Sequence, residues 1–374
     1  MSLKDVHSQQ RVIEFLQRAF CAGKMPHAYI FAGPDGVGKR TLAHQWAKML
    51  LCLNRIEKKN KEGISYDSCG KCRSCTVFEG GGHPDFNFIY KELVKFTKDG
   101  KGRTTPVDMP INVIREFLID RAANRPQMSE YVVHVVDEAE KLNRSSQNAL
   151  LKLLEEPARF CVIILLCSRL DKMLPTTLSR CQALRFAPVE EKYIVEKLEK
   201  MGVNKEQATY WAGFSRGSIG TAMAWAGLDI AEGDSCYKVK RELLGRIAEF
   251  ELKDALDFTE WILAEAKRLS TAWSKQEPNL STTDVKRRVQ KGLLMMITSV
   301  FNDAMHLKTG SQRALVNSDQ LGPVKSISER FEAETLAERV DKAYESCRWV
   351  DASVNEKLIF EQLLLNYSSC GIMA

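Results

Sequence analysis

At 374 residues the chain exceeds what one hydrophobic core usually organises, so two or three domains are expected, each burying its own apolar face. A net charge of +6 with 27% charged residues is a mild basic excess, compatible with an anionic partner such as nucleic acid and equally common in ordinary soluble proteins. No stretch of about 18 uncharged apolar residues occurs, and the amphipathic N-terminus "MSLKDVHSQQRVIEFL" lacks a signal peptide's apolar run, which speaks against a membrane or secreted protein and for a cytoplasmic one.

In chain order, Val6, Val12, Ile13, Leu16, Ala19 and Phe20 recur at helical spacing, and "HAYIFAG" from His27 follows as a short strand ending in glycine. "RTLAHQWAKMLLCLN" is helical again, with Leu42, Trp46, Met49 and Leu50 on one side. Further strands are predicted at "DFNFIY" (85–90), "YVVHVVD" (131–137), "CVIILLC" (161–167) and "ALRFA" (183–187). Val/Ile-rich runs with little alternation suit strands buried on both faces, and their alternation with helices implies a parallel sheet. Residues 1–187 are therefore expected to form an α/β domain. After Pro188 the strand signals stop. "VEEKYIVEKLEKMG", "NKEQATYWAGFSRG" and "SIGTAMAWAG" read as three short helices with glycines suited to their C-caps, a small helical domain over 188–236. Beyond a polar junction at "DIAEGDSC", residues 237–374 read as a longer helical region, broken at "SKQEPNLSTTD" and "TGSQRALVNSDQLGP".

Gly33, Gly38 and Lys39 keep the G-x-x-x-x-G-K spacing of a phosphate-binding loop. They stand after a strand and open a helix, where backbone N–H groups and the helix N-terminus converge on an anion. Lys39 would reach the outer phosphates. The next position, which in such loops supplies a hydroxyl to Mg²⁺, is Arg40; Thr41 is one residue out of register, turned about 100° around the helix. The same glycines also suit a plain strand-to-helix turn that binds nothing. Asp137 and Glu138 follow an apolar strand, as an acid that can meet a metal and a neighbour that can orient an attacking water.

Of eleven cysteines, Cys52, Cys69, Cys72 and Cys75 are bunched, and two successive C-x2-C steps with a fourth thiolate suit tetrahedral Zn²⁺. A redox role is the alternative, and His83 is a competing ligand or a turn cap. The basic run Lys91, Lys95, Lys98, Lys101 and Arg103 surrounds "DGKG", which reads as a hairpin turn or as a DNA contact. Arg180, in "LPTTLSRC", ends a short helix before a strand and takes meaning only from the order of the other motifs.

Phosphate loop, four-cysteine insertion, "DEAEKLNRSSQNALLKLLEEP" and "LLCSRLDKMLPTTLSRC", in that order, resemble the bacterial clamp-loader AAA+ family. The resemblance covers nearly the whole chain, motif-dense from Val6 to Phe186 and only architectural beyond about residue 240. It implies an AAA+ P-loop parallel-sheet domain with a zinc-binding module at 52–75, a small helical lid, and an all-α collar through which subunits assemble. It also implies work within DNA polymerase III, with gamma/tau and delta subunits, the sliding clamp and primed DNA as partners. Within the family the chain is most similar to the delta-prime type rather than the ATP-hydrolysing gamma/tau motor. Arg40 replaces the metal-ligating hydroxyl, and in "SRGSIGTAM" Gly220 stands where motors carry a γ-phosphate-sensing arginine. Ser168 falls at the polar sensor-1 position. Gly33, Gly38, Lys39, Thr41, Asp137, Glu138 and Ser168 are thus implied to form a degenerate nucleotide site, poorly suited to ATP and Mg²⁺, beside a structural Zn²⁺. Arg180 is implied to be an arginine finger directed at a neighbour's nucleotide. The alternative is the motor subunit itself.

Overall fold

The computed structural model describes residues 3–60, 63–99, 107–231, 234–278 and 280–368. The chain divides into two compact units, Met1–Glu190 and Glu191–Ala374, the second holding both helical segments that the sequence separates after residue 236.

In the first unit a 3₁₀ turn (Leu3–Asp5) precedes α1 (Gln10–Cys21), β1 (Ala28–Ala32), α2 (Lys39–Leu51), β2 (Ile56–Asn60), β3 (Gly63–Asp67), α3 (Arg73–Glu79) and β4 (Phe86–Ile89). Then come α4 (Ile111–Ile114), a π-helical turn (Arg115–Ile119), α5 (Asp120–Ala122), β5 (Val132–Val136), α6 (Arg144–Glu155), β6 (Cys161–Cys167), α7 (Pro175–Leu178) and β7 (Gln182–Arg185). Five parallel strands run in the order β4-β5-β6-β1-β7. β1, β5 and β6 are buried at every position, which is why they read as unbroken apolar runs. On one face Leu16, Leu42, Trp46 and Leu50 pack over Tyr29, Phe31, Val133 and Ile164; on the other, Val113, Leu118, Leu150 and Leu154 pack over Ile30, Val136, Ile163 and Leu165. Because all five strands are parallel, the chain leaves β1, β5 and β6 at the same edge of the sheet.

Several local expectations shift. The first helix begins at Gln10 rather than near Val6, since Ser8 takes a left-handed φ of 62° and the Gln9 amide ties the loop at Val37 O (3.2 Å) to Ala187 O (2.7 Å). The β2–β3 hairpin was not expected; Gln17 of α1 holds it by pairing with both backbone groups of Tyr66, each at 2.8 Å. Residues Lys91–Phe96 form a 3₁₀ turn, and the "DGKG" turn with Lys101 and Arg103 lies, beyond Asp99, outside the described residues.

The second unit comprises α8 (Glu191–Lys200), α9 (Lys205–Phe214), α10 (Ile219–Ala226), a small antiparallel ladder of β8 (Asp229–Ala231) and β9 (Asp234–Ser235), and, among the described residues, six further α-helices. These are α11 (Cys236–Ala248), α12 (Ala255–Gln276), α13 (Thr282–Lys308), α14 (Leu321–Arg330), α15 (Ala333–Asp351) and α16 (Glu356–Ser368). Asn204, Ser218, Ser235 and Ser281 cap helices by accepting a backbone N–H from the third residue on. Gly202 and Gly217 take the left-handed φ expected after a helix, 88° and 85°, whereas Gly227 caps α10 at φ −93°. Trp225 of α10 stacks on Trp211 of α9 (6.1 Å, 17°) and meets Trp273 of α12 edge-on (5.1 Å, 83°). Its ring lies over Gly292 of α13, so closely that a Cβ there would stand 1.9 Å from Cζ2. Lys240 and Asp319, 0% and 3% exposed, pair at 2.5 Å, with the Tyr237 hydroxyl donating to the same carboxylate at 2.7 Å. Among the described residues no helix is long and apolar enough to cross a membrane.

Candidate functional site

The loop between β1 and α2 has the backbone of an anion cradle. Gly36 and Gly38 adopt φ 73° and 97°, which favour glycine, and Gly38 forms the N-cap of α2. Gly33 is required for a different reason: a Cβ there would stand 2.9 Å from both Cβ and O of Phe186, just past β7. Lys39 is buried and turned into its own loop, donating to Gly33 O (2.5 Å) and Pro34 O (2.8 Å) and pairing with Asp35 at 3.3 Å. Thr41 lies half-buried in the first turn of α2.

Arg40 points toward β4 and the end of β5. Its guanidinium lies 3.9 Å from Asp137 Oδ2 and 4.2 Å from the centre of the Phe88 ring, so a fixed cation faces the acid that the sequence assigns to a metal. Burial raises the Asp137 carboxyl above its ordinary value, Arg40 opposes that shift and Glu138 adds to it. Glu138 adopts a left-handed backbone, φ 48° and ψ 48°, and its carboxylate pairs with Lys141 and, at 3.6 Å, with Lys91. Ser168, at the end of β6, donates its hydroxyl to Glu140 (2.5 Å) and its N–H to the same carboxylate (3.0 Å).

The structure therefore brings Gly33, Gly38, Lys39, Asp137, Glu138 and Ser168 to one edge of the sheet, with each charged or polar side chain engaged by a neighbour. Lys91 is 2% exposed and paired with Glu138, which removes it from the basic run considered for DNA. Glu140 was not singled out from sequence, and Lys91 only as part of the basic run; their pairing with Ser168 and Glu138 is visible only in three dimensions. Gly220 lies in the first turn of α10, in the second unit.

Arg180 follows α7. Its Nη1 donates to Thr176 O (2.9 Å) and Ser179 Oγ (3.3 Å), and its Nη2 lies 2.6 Å from Glu155 Oε1 at the end of α6. The segment leading to it is anchored by the buried Gln147, which accepts from Leu174 N (2.7 Å) and donates to Lys172 O (3.1 Å) and Leu142 O (2.9 Å).

The four clustered cysteines converge, their sulfurs all within 4.8 Å of one another. Cys52 Sγ stands 3.6 Å from Cys69 Sγ and 3.9 Å from Cys72 Sγ, close to the separation of about 3.8 Å that four sulfurs take around a tetrahedral Zn²⁺ with bonds of about 2.3 Å. Gly70, at φ 69°, turns the chain so that Lys71 N and Cys72 N face Cys69 Sγ at 3.5 and 3.3 Å, while Cys75 N faces Cys72 Sγ at 3.5 Å. Burial works against thiolate formation at Cys72, yet the N–H of Cys75, with further hydrogen bonds, brings its thiol down to about 6. The donor set fits zinc, and four sulfurs leave no open position. His83 is not among them: it is buried, with Nε2 2.9 Å from Ser74 Oγ and Nδ1 accepting from Asp85 N at 3.1 Å, a turn cap.

Two family models match the chain in succession, "DNA polymerase III, delta subunit" over residues 8–190 and "DNA polymerase III, delta subunit, C terminal" over 268–369. A DNA polymerase III subunit delta' from Bacillus subtilis is 22% identical over 96% of this chain and 95% of its own length. A DNA polymerase III subunit gamma from Buchnera aphidicola is 30% identical over 67% of this chain, which spans 64% of that relative's length. Among solved structures, a gamma-subunit-related protein of Thermotoga maritima aligns at 16% identity over 96% of this chain and 98% of its own, with a TM-score of 0.40. With two delta-subunit models covering most of the sequence and gamma- and delta'-type relatives alike, the chain belongs to the DNA polymerase III clamp-loader subunit family.

Proposed function

We propose that the chain is a delta-prime-like subunit of the DNA polymerase III clamp loader, a stator that does not hydrolyse ATP and offers Arg180 to the nucleotide of a neighbouring subunit. In this reading the first unit is the ATPase-like domain, residues 188–236 are the lid and 237–374 the collar, and gamma/tau and delta subunits are the partners in placing the sliding clamp on primed DNA. The carrying observation is Arg40 against Asp137: a guanidinium takes up the acid that would otherwise hold Mg²⁺, and it can neither ligate a metal nor leave room for its charge. Lys39, Glu138 and Ser168, turned to internal partners, support the same conclusion. A finger supplied in trans stabilises the charge of the transferring phosphoryl group and contributes on the order of 10³- to 10⁵-fold in well-studied GTPases.

The second reading, an ATP-hydrolysing gamma/tau-type motor, draws on the 30% identity to a gamma subunit and on the intact Lys39, Asp137 and Glu138. Steady-state ATPase measurements on the purified chain separate them. The expected outcome is turnover far below about 1 s⁻¹, the low end of typical enzyme rates, with or without Mg²⁺. Turnover above that value, abolished by Lys39→Ala, would establish the motor.

A further inference from the structure

Arg180 leaves a one-turn helix, a small platform for a side chain with four rotatable bonds. Two of its contacts, Thr176 O and Ser179 Oγ, belong to the same turn and can only hold the side chain against its own backbone. The third comes from elsewhere: Glu155 Oε1, 2.6 Å from Nη2, sits on the last residue of α6. α6 is fastened to the segment before α7 through Gln147, so the carboxylate is delivered by the same frame that carries the finger.

We infer that Glu155 is the positioning residue of Arg180, fixing the direction in which the guanidinium leaves α7 so that it meets a neighbour's phosphate already oriented. The inference rests on the proposed role of Arg180 as a finger in trans. Stability is a poor explanation for the pair, because both side chains are substantially exposed, 34% and 49%, and exposed ion pairs contribute little to folding. Added electrostatic pull is a poor explanation too, since a carboxylate beside the finger offsets part of its charge. What the contact supplies is geometry. Nη1 is held by its own turn and Nη2 by Glu155, while Nε has no partner among the described residues. Reactions that depend on placement lose about 100-fold for a misplacement of about 1 Å, which sets the scale for an unpinned finger.

The test uses the complex reconstituted with its gamma/tau and delta partners, carrying Glu155→Ala, Glu155→Gln, Arg180→Ala or Glu155→Ala with Arg180→Ala, with DNA-stimulated ATP hydrolysis as the readout. Glu155→Ala is expected to lower kcat by about 10- to 100-fold with KM for ATP nearly unchanged. Glu155→Gln keeps an oxygen that accepts from Nη2 and should recover most of the rate. The double variant should be no slower than Arg180→Ala alone, and the isolated Glu155→Ala chain should melt with the wild type. Full kcat in Glu155→Ala alongside a slow Arg180→Ala would overturn the positioning role and leave the finger standing. Additive losses in the double variant would place the effect of Glu155 elsewhere and overturn it as well. An Arg180→Ala complex as fast as wild type would remove the finger, and the inference with it.

Discussion

His134 shows how one residue can set a pH limit without taking part in the site. It lies in the middle of β5, fully buried, and neither ring nitrogen has a hydrogen-bond partner among the described residues. Burial, with Arg121 nearby, pushes its pKa down to about 4 from an ordinary 6.5. The folded state therefore refuses a proton that the unfolded chain accepts. Stability from keeping the ring neutral is complete above about pH 6.5 and is lost as pH falls toward 4, by at most about 3 kcal/mol. Urea unfolding at several pH values should show the wild type weakening across that window and His134→Val weakening less. Equal slopes for the two proteins would remove the ring as the cause.

At the scale of elements, the four-cysteine module has little apolar content of its own. β2 and β3 read "IEKKN" and "GISYD", with Ile56 and Ile64 exposed, so the hairpin leans on α1, through Gln17 and through Phe20 against Tyr66, and on the cysteine cluster at its base. About one Zn²⁺ per chain is expected by metal analysis, and Cys72→Ser with Cys75→Ser should abolish it. Chelation should speed hydrogen exchange over residues 52–79 well before it reaches β5 and β6, whose amides lie in the core of the sheet. Retention of full zinc in the double variant would place the metal elsewhere.

The same contrast explains what could be read in advance. Strands such as "CVIILLC", buried on both faces, announce themselves by composition, and the structure starts and ends that strand at the expected residues. The four cysteines were legible because metal chemistry constrains residue type and spacing together. The hairpin was not, because polar strands held by contacts from α1, among them Gln17 to the Tyr66 backbone and Phe20 to its ring, carry no period-two pattern of their own. Nor were the pairings Lys91–Glu138, Ser168–Glu140 and Arg180–Glu155, since each joins groups distant in sequence whose meeting is decided only by the finished sheet. The phosphate-loop spacing could be read as a group from the sequence, while the turning of Lys39 into its own loop could be seen only in three dimensions.

At the scale of the molecule, the second unit is where the sequence reading drew a boundary that the packing bridges. Trp225 of α10 presses on Gly292 of α13 and against Trp273 of α12, and Lys240 of α11 lies 4.0 Å from the ring centre of Tyr210 in α9. Any side chain at residue 292 must displace an indole, so Gly292→Ala should destabilise this unit by about 1–3 kcal/mol, measured as a lower denaturant midpoint, although alanine is the better helix former. An unchanged or raised midpoint would mean the ring moves aside freely. In mechanical terms, the three short helices lean on the long ones through the indoles of Trp211, Trp225 and Trp273. A displacement of α10 must therefore be answered by α12 and α13, because the Trp225 ring has Trp273 on one side and the Gly292 backbone beneath it.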